Sequence, residues 1–124
     1  MQRFTRPQAL ESTVTKRPTG HGNLYVIVCK HPETGLPIEV FAKLGKAGGC
    51  ESAHLEALTR VISVALQYGV PLEDLVHTLR QVTCHPYMIG NDELANTSPA
   101  DAIAHVLEKP AIAIILEKPN DTSS

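Results

Sequence analysis

Phe41-Ala42-Lys43-Leu44-Gly45-Lys46-Ala47-Gly48-Gly49-Cys50 joins a β-type segment to a long apolar run, and its reading decides the fold. Three glycines within five residues let the backbone turn tightly and approach a bound group. A helix is predicted from about Gly49 to Tyr68, and Gly69 suits its end. Its first N–H groups lack partners inside the helix and favour an anion, to which Lys46 adds positive charge. The turn is not a Walker loop, because the spacing differs. It reads equally as a strand-to-helix connection with a solvated lysine.

Upstream, Ile38-Glu39-Val40-Phe41-Ala42-Lys43 alternates, with Ile38, Val40 and Ala42 on one face and Glu39, Phe41 and Lys43 on the other. Leu24-Tyr25-Val26-Ile27-Val28-Cys29 is a second strand, rich in β-branched residues, and the turn 31–37 makes the two an antiparallel hairpin. Ser12–Lys16 is a shorter β-prone run, closed by Arg17-Pro18-Thr19-Gly20 and the continuing turn His21-Gly22-Asn23.

Downstream, the long helix carries Ala53, Ala57, Val61, Val64 and Ala65 on one side, widened by Leu58, Ile62 and Leu66. Such a band is expected against the sheet, a second copy of the chain, or both. Pro71-Leu72-Glu73-Asp74 opens a second helix to about Arg80, with Leu72, Leu75, Val76 and Leu79 inward. Val82 to Asn96 reads as a long irregular loop. Ser98 is placed as N-cap, Pro99 at the first helical position and Asp101 at the third, opening a helix Ala100–Lys109 that Pro110 ends. Ala111–Leu116 is expected as a final strand or an extended arm. The sum is an α+β fold, a small antiparallel sheet of three to four strands packed on three helices, in a single domain 1–124 with loose ends at 1–11 and 118–124.

A net charge of −2 argues against binding long nucleic acid, and the absence of tryptophan argues against a stacking platform for single strands. No apolar run approaches the ~20 residues of a membrane helix, and the start has no signal-peptide core. Three cysteines without paired spacing fit a reducing, cytoplasmic setting.

The chain resembles the TSCPD domain, found at the C-terminal side of adenosylcobalamin-dependent ribonucleotide reductases and as small free-standing proteins. The matching stretches are Thr19-Gly20-His21-Gly22-Asn23-Leu24-Tyr25-Val26, Glu39-Val40-Phe41, Leu44–Cys50, Glu56-Ala57, Arg60-Val61-Ile62-Ser63 and Asp101-Ala102-Ile103-Ala104, in family order. The naming motif is altered: Thr97-Ser98-Pro99-Ala100-Asp101 stands where the family has Thr-Ser-Cys-Pro-Asp, and His21 stands where a cysteine is frequent. No reductase catalytic domain is present, so a reductase activity is not carried over. The resemblance extends to free-standing phage-type members, the anti-Thoeris and anti-CBASS sponges, which imply a homo-oligomer that captures cyclic ADP-ribose-type signals or cyclic oligonucleotides without turnover.

Capture of such a ligand needs phosphate donors and a flat partner for a base. Lys16, Arg17, His21, Lys43, Lys46 and the backbone of Gly48 and Gly49 form the first set, with Thr97 and Ser98 at the third helix. Tyr87 or Met88 is expected against a base, with Asn91 or Asn96 on its edge. No cofactor is required. The alternative is a zinc-binding accessory or regulatory module linked to ribonucleotide reduction, with His21, Cys50, Cys84 and His85 or His54 as ligands. Cysteine–histidine catalysis by Cys84 and His85 is disfavoured, because adjacent side chains point apart and the sequence identifies no orienting acid.

Overall fold

The computed structural model describes residues 2–45, 49–80, 82–84 and 98–117, with 110–117 as backbone only. Strands β1 (Ser12–Thr19), β2 (Gly22–Lys30) and β3 (Pro37–Leu44) precede helices α1 (Gly49–Gln67), α2 (Leu72–Leu79) and α3 (Pro99–Glu117). The strands form one antiparallel sheet in the order β1-β2-β3. This is the expected α+β fold, with three strands and three helices.

Alternation divides the sheet into two faces. Leu24, Val26, Val28, Ile38, Val40 and Leu44 are buried and meet the helical layer. Ala102, Ile103, Ala104, Val106 and Leu107 of α3 complete this core. α2 packs on α3 through Val76 and Leu79, with Leu72 and Leu75 partly buried, as the 3.6-residue spacing predicts.

Two boundaries differ from the sequence reading. β1 runs on through Arg17, Pro18 and Thr19 rather than turning there. Pro18 is tolerated because β1 is an edge strand, where a missing N–H need not break a ladder bond. The turn is shorter than expected: Thr19 pairs with Gly22, leaving Gly20 and His21 as a two-residue loop. The second difference is at Pro110, which does not end α3; the helix continues to Glu117. Proline removes only one main-chain donor, and no turn residue separates it from the apolar run 111–116. That run is therefore neither a fourth strand nor an extended arm.

On α1, of the two expected places for the apolar band, the sheet of the same chain takes only part of it. The helix's inward residues are Leu55, Thr59, Ile62, Ser63, Leu66 and Gln67, while Ala53, Ala57, Val61 and Val64 are exposed. The helix lies along the edge of β3 that faces away from β2. There the Val40 N–H donates to Ser63 Oγ at 2.9 Å and the Ser63 hydroxyl donates to the Val40 carbonyl at 3.2 Å. One turn on, the Gln67 amide donates to the Ile38 carbonyl at 3.2 Å. A sheet edge needs hydrogen-bonding partners more than apolar cover, so the polar column at four-residue spacing turns inward.

Gln67 also holds the N-terminal segment. Its carbonyl accepts from the Phe4 N–H at 2.9 Å, and its side-chain oxygen accepts from Arg3 Nε at 2.7 Å. Residues 2–11 carry no helix or strand, but Arg6 also pairs with Glu39 at 2.9 Å.

Ser63→Ala leaves a buried donor and acceptor without their partner, which is expected to cost about 1–3 kcal/mol. Ser63→Thr, which keeps the hydroxyl, is expected to cost less. Urea unfolding of both variants checks this, and equal midpoints for Ser63→Ala and the parent chain refute the edge-capping role.

Candidate functional site

The Gly20–His21 turn, the Gly45 end of β3, the start of α1 and the start of α3 gather at one end of the molecule. The turn is built locally. Thr19 Oγ1 donates to the Gly22 carbonyl at 2.7 Å and accepts the His21 N–H at 3.1 Å. Gly22, at φ 109, occupies a backbone region that side-chain-bearing residues rarely adopt. The Gly45 N–H donates to the Asn23 carbonyl at 2.8 Å, tying the end of β3 to the same turn.

On the open face of the sheet, the register sets Lys16 opposite Tyr25 and Tyr25 opposite Lys43. All three are exposed. An aromatic ring thus stands between two cations in a row across three strands. Beside it lies a hollow of about 440 Å³ lined by Gly20, His21, Gly22, Asn23, Tyr25 and Gly45. This arrangement offers phosphate partners, a ring face and backbone accessible at glycines.

On the helical side of the same turn is a second cleft, also about 440 Å³. It is walled by His21, Leu44, Glu51, His54, Leu55, Leu58, Cys84, Pro99 and Ala100. His21 Nδ1 lies 2.6 Å from Glu51 Oε2, and its Nε2 lies 3.2 Å from Cys84 Sγ. A carboxylate only accepts, so Nδ1 carries the hydrogen that faces Glu51, and Nε2 is the nitrogen that faces the thiol. Burial pushes the Cys84 thiol pKa up, and the negative charge of Glu51 adds to the rise. The thiol therefore keeps its proton at rest.

The sequence-predicted ligand residues divide. Lys16 and Lys43 come together on the open face, and His21 forms the wall between the two hollows. Arg17, next to Lys16, points inward and is 7% exposed. Burial lowers its pKa and the carboxylate of Asp101 raises it again, so it serves as an interior charge rather than a surface phosphate donor. Asp101 Oδ2 also lies 3.5 Å from His105 Nε2. Gly49 starts α1 at φ 72. Ser98 is buried, and its Oγ accepts the Asp101 N–H at 3.0 Å, the capping bond expected of it. Lys46, Gly48, His85, Tyr87, Met88, Asn91, Asn96 and Thr97 lie outside the described residues.

Two site residues were not anticipated. Tyr25 was read only as a strand residue, although pairing the predicted strands places it between Lys16 and Lys43. Glu51, in the first turn of α1, was not singled out. Among the candidate zinc ligands, Cys50 is exposed, and His21 turns its two nitrogens to different partners instead of one point. Among the described residues no group of three or more His, Cys, Asp or Glu side chains is arranged to hold a metal ion. A hollow of about 770 Å³ lies at the other end beside Phe4, His31, Tyr68 and Val70, and none of the predicted ligands lines it.

These features define a small α+β domain whose glycine-marked turn and helix starts converge beside an open sheet face. The TSCPD domain model matches residues 2–110, and the chain belongs to the TSCPD domain family. It is similar to vitamin B12-dependent ribonucleotide reductases, at 31% identity over 86 residues, or 69% of this chain. Such relatives occur in Streptantibioticus cattleyicolor and Streptomyces clavuligerus, and the match spans 14% and 9% of their respective lengths. No solved structure matches the chain. Among the described residues no helix is long and apolar enough to cross a membrane.

The interior charge near Asp101 is testable. Asp101→Asn deprives buried Arg17 of its countercharge and is expected to destabilise the fold by about 3 kcal/mol or more. Combining it with Arg17→Met should recover part of that loss. Chemical denaturation of the single and double variants reads both effects, and additivity of the two losses contradicts the coupling.

Proposed function

We propose that this chain captures a phosphate-bearing cyclic nucleotide without turning it over and releases it intact. The ligand class, cyclic ADP-ribose-type signals or cyclic oligonucleotides, comes from the likeness to free-standing TSCPD sponges that blunt immune signalling. The observation that carries the reading is the Lys16–Tyr25–Lys43 row beside the Gly20–Gly22 hollow. Tyr25 offers a face to a base, the lysines offer charge to phosphates, and the glycines admit a close backbone approach. Such a protein acts by mass action within the cytoplasm, where the signal is made. A nanomolar affinity corresponds to about −12 kcal/mol, more than one stacked base supplies. A second copy of the chain is therefore part of the proposal, seated on the exposed Ala53–Ala57–Val61–Val64 column of α1.

Titration calorimetry with cyclic ADP-ribose and a panel of cyclic oligonucleotides tests this reading. Loss of one stacking partner costs about 1–3 kcal/mol, so Tyr25→Ala should weaken binding by roughly 5- to 150-fold. The double change Lys16→Glu and Lys43→Glu should abolish it while leaving the circular dichroism spectrum intact. Chromatography of the released ligand should return the starting nucleotide. Unaltered affinity in both variants, or a chemically changed nucleotide, rejects the proposal.

The family's link to ribonucleotide reduction supports a second reading, an accessory module holding structural zinc. Elemental analysis of the purified chain separates the two. Capture predicts far less than one zinc per chain and binding unaffected by chelators, whereas the accessory module predicts one zinc per chain and unfolding by chelators.

A further inference from the structure

The chain Glu51–His21–Cys84 has an order that nucleotide capture does not use. A carboxylate faces one imidazole nitrogen at 2.6 Å, and a thiol faces the other at 3.2 Å. The three groups come from separate places: the hairpin turn, the first turn of α1 and the segment after α2. Carboxylate, imidazole and nucleophile in hydrogen-bonded sequence are the working parts of a covalent acyl-transfer site, recognised by geometry and not by chain order. The surroundings fit as well. His21 is mostly buried, with 13% of its side chain exposed, while Glu51 reaches it from the solvent side with 58% of its own side chain exposed. Leu44, Leu55, Leu58, Pro99 and Ala100 give the cleft an apolar wall beside the sulfur.

We propose that Cys84 is a nucleophile activated by His21, with Glu51 as the positioning residue, and that the cleft takes short-chain acyl esters. Cys84 Sγ attacks the ester carbonyl carbon. An S–C bond forms, and the thiol proton passes to His21 Nε2. Collapse of the tetrahedral adduct breaks the C–O bond, and His21 returns that proton to the departing alkoxide as an alcohol. Water then attacks the Cys84 thioester. His21 takes the water's proton and delivers it to the departing thiolate, releasing a carboxylic acid and restoring the thiol. No oxidant or reductant is consumed. Glu51 holds Nδ1–H in place, keeps Nε2 aimed at sulfur and offsets the positive charge while the ring is doubly protonated. The other titratable group lining this cleft among the described residues is His54, on the same helix as Glu51.

The probe is p-nitrophenyl butyrate added to the full chain. The expected result is a burst approaching one nitrophenolate per chain and a butyryl mass increment that peptide mapping places on Cys84, not on Cys29 or Cys50. His21→Gln should slow the burst by about 100-fold or more, the usual contribution of a general base. Glu51→Gln should lower the acylation rate constant with little change in half-saturating ester, and Glu51→Asp should restore part of the rate. Circular dichroism confirms that each variant is folded. The proposal fails if the parent chain shows no burst, if the butyryl group maps elsewhere, or if folded His21→Gln reacts at the parent rate. Because none of these readouts involves a nucleotide, the result is independent of the capture reading.

Discussion

The exchange between Ser63 and Val40 is the contact on which the rest of the fold depends. A three-stranded sheet has two edges, and the β3 edge would expose unpaired main-chain groups. Ser63 acts there as a surrogate strand residue, giving one hydrogen bond and taking another, and Gln67 adds a third at Ile38. Because the helix is fixed to the edge, its apolar residues Leu55, Ile62 and Leu66 enter the core beside α3. Its Ala53–Val64 side is left outside. The same attachment fixes the start of α1, and with it Glu51, opposite the hairpin turn.

Much of the architecture was legible from residue patterns. Alternation in Leu24–Cys29 and Ile38–Lys43 defined two strands, and the helix boundaries at Gly49, Leu72 and Pro99 followed from glycine, proline and capping signals. The facing of α1 was not legible from apolar periodicity. Thr59, Ser63 and Gln67 look like interruptions of an apolar stripe until the edge they must satisfy is known. The extent of α3 was obscured by Pro110, where the loss of one hydrogen bond did not outweigh an otherwise continuous helical run.

The site was legible in fragments. The Gly20–Gly22 turn and the two lysines were recognisable individually, but Tyr25 acquires its place only through cross-strand register. The order of Glu51, His21 and Cys84 was beyond sequence reasoning, because the three lie on separate elements. The sequence singles out no acid for a Cys84–His85 pair, and the carboxylate that the fold brings near Cys84 reaches it through His21, far away in the chain.

Lys16 and Arg17 are neighbours in sequence but belong to different worlds, one facing solvent and the other the interior. A slip of β1 by a single residue would exchange them. A compact ammonium would then replace a planar guanidinium beside Asp101, and the guanidinium would move to the open face next to Tyr25. The two groups are not interchangeable in hydration or hydrogen-bonding shape, so the mispaired sheet would lose both its interior charge balance and its surface row. The Lys16–Arg17 pair thus acts as a proofreading mark written into the strand, penalising the wrong alignment on both faces at once. The two-residue loop at Gly20–His21, by leaving no slack, makes that alignment hard to reach.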